Sequence, residues 1–337
     1  MKARIPQEEA RSLPDFTSRV IPVLCLALMA AAVMAGESRI LDLEMDSELV
    51  PGPVRYSVLL PPDYDSIKEP MPLLFDLHGG GGSRENLKAQ RGIFEDVWKD
   101  GSVPPMVVVM PSVTERGFYM DFRDGSEKWE SFLTGPFLAK LRSDYKVRAD
   151  AKATMLTGAS MGGMGSLRIA FKHPAMFGAV AGMEPGIEPV LHWKDIRLKH
   201  RFWRGDQLMY RAFGNPVDEV FWEENNPAAI VVANAAKLRD SGLQIYLEAG
   251  DEDLFWLYEG AEFLHQTLWD KKVKHEYHLV RGADHVGRSL IPRTKEALRF
   301  LARTLQPPAR DPIVERSRAK IDPLKNRVRE KDHYNEP

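Results

Sequence analysis

Gly158-Ala159-Ser160-Met161-Gly162-Gly163 places a hydroxyl between two elements of opposite kind. Residues 154–156 before it form an apolar run of strand length, and residues 161–172 after it carry a helical pattern that stops at His173-Pro174. A chain passing from a buried strand into a helix through so tight a bend has no room for side chains beside it, and Gly158 and Gly162 supply none. The serine is thereby held clear of the sheet, with the amino end of the next helix turned toward its hydroxyl. Free N–H groups at that end favour the negative charge that develops during acyl transfer. A glycine-rich helix start without chemistry is the alternative, but the strand and the helix stand on the correct sides for a nucleophile bend.

The rest of the chain repeats the alternation. Residues 40–45 and 54–60, separated by Pro51-Gly52-Pro53, read as an antiparallel pair. Residues 72–77, 106–110, 179–183, 243–248 and 274–280 read as further strands, mostly short apolar runs of the buried parallel kind. Helical spacing falls at 86–99, 129–145, 258–269 and 294–304. This order predicts an α/β fold with a mostly parallel sheet covered on both faces, in one domain over residues 38–305. Residues 185–226 interrupt the alternation and are rich in aromatics, so they are assigned to a cap over the carboxyl edge of the sheet. Pro and charged residues dominate 306–337, which are expected to be disordered or draped on the surface.

Lys and Arg total 46 against 48 Asp and Glu, a balance that gives no electrostatic reason for a nucleic-acid or anionic-membrane partner. The single cysteine, Cys25, excludes an intrachain disulfide. It lies in the apolar run 20–35, which follows Arg11 and Arg19 and ends at Val33-Met34-Ala35, a pattern that suits signal peptidase. Residues 1–35 are therefore read as an export signal, predicting a secreted or periplasmic protein that leaves the membrane after cleavage. The competing reading is an uncleaved membrane anchor. Lipid attachment at Cys25 fits poorly, because Pro22-Val23-Leu24 precede it and the apolar run continues beyond it.

A serine hydroxyl attacks only when a base takes its proton, and the base needs a carboxylate to orient it. His285, in Gly282-Ala283-Asp284-His285 after the last predicted strand, is the candidate base. Asp253, in Gly250-Asp251-Glu252-Asp253 after the strand before it, is the candidate acid, with Asp251 its main competitor. Leu77-His78-Gly79-Gly80-Gly81-Gly82 follows a central strand, and its backbone can approach a ligand closely. An oxyanion hole is expected there. The run completes neither a Gly-Lys-Ser/Thr nor a G-x-G-x-x-G phosphate loop. His78 is read as orienting the loop, not as a base. His275 and His278, three apart on a predicted strand, face opposite sides, and His192, His200 and His265 have no paired acidic or Cys ligand pattern, so no metal site is expected.

Together these motifs resemble the putative esterase family of α/β-hydrolases, the esterase D-like group that includes feruloyl esterases, S-formylglutathione hydrolases and mycolyltransferases. The resemblance rests on Val58-Leu59-Leu60-Pro61-Pro62-Asp63-Tyr64, Leu77-His78-Gly79-Gly80, Lys128-Trp129-Glu130-Ser131-Phe132-Leu133, the segment from Gly158 to Gly163, Asn226-Pro227, Gly250 to Asp253 and His285. It implies Ser160 as nucleophile, Asp253 as acid and His285 as base, backbone N–H groups of Gly80 and Met161 on the oxyanion, and no cofactor. The expected substrate is a small-molecule or polysaccharide-linked ester, with acetyl and feruloyl groups fitting an exported enzyme. Trp129, Trp222 and Trp256, with Trp193 and Trp203, are candidates for a substrate-facing wall. Acyl transfer to a sugar or other alcohol, suggested by residues 128–133, is one alternative, and a non-catalytic binding module is another.

Overall fold

The computed structural model describes residues 36–114 and 117–332, with side chains as far as residue 328. The proposed export signal at 1–35 lies outside them. Eight strands form one sheet: β1 (Arg39–Met45), β2 (Val54–Leu60), β3 (Leu73–Leu77), β4 (Val107–Pro111), β5 (Thr154–Ala159), β6 (Ala179–Met183), β7 (Gln244–Gly250) and β8 (Glu276–Val280). Their spatial order is β1-β2-β4-β3-β5-β6-β7-β8. The β1–β2 and β2–β4 pairs are antiparallel and all later pairs parallel.

The helices are α1 (Glu85–Lys99), α2 (Trp129–Phe132), α3 (Leu138–Asp144), α4 (Met161–Lys172), α5 (Asp206–Phe213), α6 (Glu219–Glu223), α7 (Pro227–Ser241), α8 (Leu257–Asp270), α9 (Leu290–Leu305) and α10 (Pro312–Asp332). Side chains alternate across each strand, so the sheet carries two cores. Leu73, Phe75 and Leu77 enter one and Leu74 the other. The same division separates Ile245 and Leu247 from Tyr246. Helix α4 packs in the first core, while α1 and α9 close the second with Phe94, Trp98, Phe300 and Leu301. Each such side chain contributes about 1.5–3 kcal/mol by leaving water.

Three differences from the sequence expectation have local causes. The helix expected over 129–145 is split by a π turn at Leu133–Phe137, where Gly135 takes φ −107°, ψ −105° and Pro136 lacks an N–H. Helix α7 is additional to the helices expected from apolar spacing, although its ends carry plain signals. Asn226 accepts hydrogen bonds from the N–H groups of Ala228 and Ala229, Pro227 occupies the first turn, and Gly242 closes the helix in the left-handed region. The tail also differs from the expectation, because Pro312–Asp332 is helical and solvent-exposed where described. Its start is capped by Asp311, whose carboxylate accepts from the Ile313 N–H at 2.8 Å. Good helix formers such as Glu, Arg, Lys, Ala and Leu sustain it without a core. Among the described residues no helix is long and apolar enough to cross a membrane.

Asp76 lies in the middle of β3, nearly fully buried, and its Oδ2 has no hydrogen-bond partner among the described residues. Burial pushes this carboxyl up to about 7. The folded state therefore binds a proton that the unfolded chain releases near pH 4, and stability falls as pH rises from about 4 to about 7. Asp76→Asn is expected to stabilise the protein at pH 8 by up to about 4 kcal/mol, with little change at pH 4. Urea unfolding at both pH values measures this, and equal effects at the two would refute it.

Candidate active site

All the sequence-predicted catalytic side chains lie on segments that leave the carboxyl ends of parallel strands, which brings them to one edge of the sheet. Ser160 follows β5 with φ 58° and ψ −119°, a conformation rarely adopted by a residue with a side chain. Its N–H donates to the Met183 carbonyl at 2.9 Å, and its carbonyl accepts from the Gly186 N–H at 3.2 Å. The bend is thus tied to the chain leaving β6. The glycine loop passes alongside, since a Cβ built on Gly79 would meet the Ser160 Cβ at 3.5 Å.

Asp253 follows β7 and is almost completely buried. Its Oδ1 accepts from the N–H groups of Phe255 at 2.7 Å and Leu257 at 3.3 Å, and its Oδ2 lies 2.7 Å from Nδ1 of His285. Burial alone would raise this carboxyl, but His285 and the two N–H donors outweigh it and hold the group below the ordinary aspartate range. Asp251 is occupied elsewhere, accepting from the Gly282 N–H at 2.6 Å and so stapling the two loops together. The structure therefore selects Asp253 over its competitor as the partner of His285.

His285 has a second neighbour that the sequence motifs do not reveal. Glu184, directly after β6 and wholly buried, places Oε2 3.0 Å from the same Nδ1. Burial alone would lower the imidazole, but Asp253 and Glu184 together push it up to about 9. Glu184, Asp253 and His285 are also close enough to share a cation. The Arg293 guanidinium already occupies one oxygen of the Glu184 carboxylate, and His285 Nδ1 lies on the Asp253 Oδ2.

Ser160 and His285 line one cavity of about 570 Å3. Gly80 and Met161, the expected oxyanion donors, line it beside them. Met161 opens α4, where first-turn N–H groups have no partner within the helix. His78 also lines the cavity. Its Nδ1 bonds the Gly79 carbonyl at 2.8 Å, its Nε2 accepts from the Val113 N–H, and burial lowers its pKa. Both ring nitrogens are thus engaged by backbone of the loops beside β3 and β4.

Phe118, Trp203 and Phe255 form the aromatic part of the wall, with Leu208, Leu257 and Val286 beside them. The Phe255 ring stands edge-on to His285 at 4.8 Å. Trp129, Trp222 and Trp256, the tryptophans expected at the substrate, do not line the cavity. Trp129 is buried with Nε1 bonded to Glu127 at 2.6 Å, and Trp222 is buried against Trp193. Trp256 is half-exposed beside Phe202, with its neighbours Phe255 and Leu257 taking the lining positions. Of the residues in the predicted cap, Trp203, Arg204 and Leu208 reach the cavity. Arg204 is buried, paired with Glu188 at 2.6 Å and set over the Phe118 ring at 4.9 Å, so it fixes the cap segment to the wall. A hollow of about 740 Å3 opens at the opposite edge of the sheet, but no histidine among the described residues lines it.

The family model described as Putative esterase matches residues 47–291, a stretch that contains the whole site. The chain belongs to the putative esterase family. It is 26% identical over 149 residues to Esterase Rv1288 of Mycobacterium tuberculosis, covering 42% of this chain and 32% of that protein. Over 135 residues it is 29% identical to an endo-1,4-beta-xylanase/feruloyl esterase of Xylanibacter ruminicola, covering 36% of this chain and 18% of that one. The chain thus spans a third or less of the length of these relatives. In fold it is similar to a ferulic acid esterase, with TM-score 0.66 and 21% identity over 80% of this chain and 99% of the other. It is also similar to an S-formylglutathione hydrolase from Agrobacterium tumefaciens, with TM-score 0.64 and 18% identity over 80% and 97%. These likenesses establish the α/β-hydrolase fold expected from the sequence.

Proposed function

We propose that this family member hydrolyses carboxylic esters through an acyl-enzyme formed on Ser160. The observation that carries the reading is the strained bend at Ser160 opening into the same cavity as a His285 held by buried Asp253. His285, once neutral, takes the Ser160 proton as Oγ attacks the ester carbonyl, then returns it to the departing alcohol. The N–H groups of Gly80 and Met161 hold the oxyanion. Water, activated by the same imidazole, then attacks the acyl-serine and releases the acid. Every proton moves through His285, so this chain's residues need no cofactor for the reaction.

The aromatic wall of Phe118, Trp203 and Phe255 favours a planar or apolar group next to the ester. We assign the substrate to acetyl or feruloyl esters on an extracellular polysaccharide, the export pattern of residues 20–35 supplying the location. Acyl transfer to a sugar gains no support from residues 128–133, whose Trp129, Glu130 and Phe132 are buried away from the cavity.

A fluorophosphonate probe should label the protein at Ser160, read by mass spectrometry of the modified peptide, and aryl acetate and methyl ferulate should both be tried as substrates. Undiminished labelling of Ser160→Ala, or no turnover of any ester, would remove the serine mechanism. Faster turnover of the ferulate would place the acyl group against the aromatic wall.

A further inference from the structure

Within the serine mechanism proposed for this site, one buried carboxylate beside the base has no role yet. Glu184 is fully buried and its backbone takes φ 41°, so a charged side chain is held in an unfavourable backbone region at the centre of the site. Its N–H donates to the Glu248 carbonyl at 2.7 Å, which fixes the residue between β6 and β7. One carboxylate oxygen, Oε1, is bound by Arg293, and Arg293 also binds Glu248 and donates to the Asp284 carbonyl at 2.9 Å. The other oxygen, Oε2, is buried and receives no hydrogen bond of good geometry, yet stands 3.0 Å from the imidazole nitrogen that Asp253 holds.

We infer that Glu184 is a second orienting carboxylate for His285, a positioning residue that shares the Nδ1 proton with Asp253 and is aimed by Arg293. An imidazole has one N–H at Nδ1, and two carboxylates on that side fix the tautomer so that the Nε2 lone pair is left for the serine proton. They also stabilise the imidazolium that forms when the proton is taken. The same stabilisation delays the start of catalysis, because the base must be neutral before it can act.

The other groups around His285 do not replace this role. Asp284 turns its carboxylate to the N–H groups of His285 and Leu254, Phe255 offers a ring edge, and Glu248 acts only through Arg293. Asp253 and Glu184 are the carboxylates facing Nδ1. With both present His285 is held up to about 9, so activity is expected to rise with pH through the alkaline range.

The test is an NMR titration of His285 in the intact protein, beside the pH profile of kcat/KM for an aryl ester. In Glu184→Gln both midpoints should fall by about one pH unit or more, and the alkaline plateau of kcat/KM should fall by up to about tenfold, because the forming imidazolium loses one of its two carboxylates. Unchanged midpoints in a folded Glu184→Gln protein would overturn the inference. Should loss of the Arg293 contact unfold that variant, Asp253→Asn leaves Glu184 and Arg293 in place. His285 should then still titrate above the ordinary histidine value of about 6.5, and a midpoint at or below it would overturn the inference. The NMR reading needs no turnover, so a shifted His285 without ester hydrolysis would refute the serine mechanism alone.

Discussion

Ser160→Ala is expected to lower kcat/KM for ester hydrolysis by about four orders of magnitude, down to the residual rate that binding and the oxyanion donors sustain without a nucleophile. The loss follows from the chemistry, because the cavity lining offers no second hydroxyl to the His285–Asp253 pair among the described residues. His285→Ala should cost about as much, and the double variant scarcely more, since in the proposed mechanism the two side chains act in one proton transfer. Alanine keeps the Cβ that makes φ 58° unfavourable, so the backbone strain is unchanged and unfolding by urea should move by less than about 1 kcal/mol. Steady-state kinetics on the purified variants decides the matter. A Ser160→Ala protein within tenfold of the wild-type rate would end the mechanism.

Gly162→Ala should be among the most damaging glycine-to-alanine changes, since its added Cβ meets the closest contact of any glycine in the chain. A Cβ at this position would sit 1.8 Å from the Leu77 carbonyl oxygen and 2.5 Å from the Leu77 carbonyl carbon. Both atoms are backbone at the end of β3, a strand hydrogen-bonded on both sides by β4 and β5, so they cannot swing aside as a side-chain tip would. Either α4 lifts away from the sheet or β3 shifts, and each choice also moves Ser160 and the Gly79–Gly80 backbone. The expected cost is on the order of 4 kcal/mol or more, with a Tm lower by about 8 °C or loss of soluble protein. Gly92→Ala is the informative contrast. It lies within α1 with nothing within 4 Å of its Cβ position, and alanine there should stabilise by about 0.5–1 kcal/mol. Equal Tm values for the two variants would contradict this account of the bend.

Both predictions concern segments whose meaning is local, and local meaning is legible in a sequence. Strands β2 and β6 and helix α4 have the boundaries that apolar runs and breakers assign them, because period and punctuation act over a few neighbouring residues. The serine bend is readable for the same reason: two glycines, a hydroxyl and opposite periodicities on either side sit within one short stretch. His285 and Asp253 become readable once the strand order implies that loops after parallel strands share an edge. By contrast, apolar spacing does not announce α7, whose only clear signals are its Asn226 cap and Gly242 stop.

What the chain determined by itself is the alternation of buried strands and helices and the sharp bend at Ser160, which depend on short-range periodicity and backbone sterics, and, through the strand order that alternation implies, the edge shared by the loops carrying Asp253 and His285. The tertiary structure alone decided which of several chemically similar side chains meet. Trp129 and Trp222 are buried in the core while Trp203 and Phe255 face the cavity, although nothing in residue type separates them. Glu184 stands in the sequence as an ordinary acid before Pro185, and it becomes the second neighbour of His285 only because β6 lies between β5 and β7 in the sheet. Side-chain encounters of this kind depend on distances across the fold, which neighbouring residues in a chain do not encode.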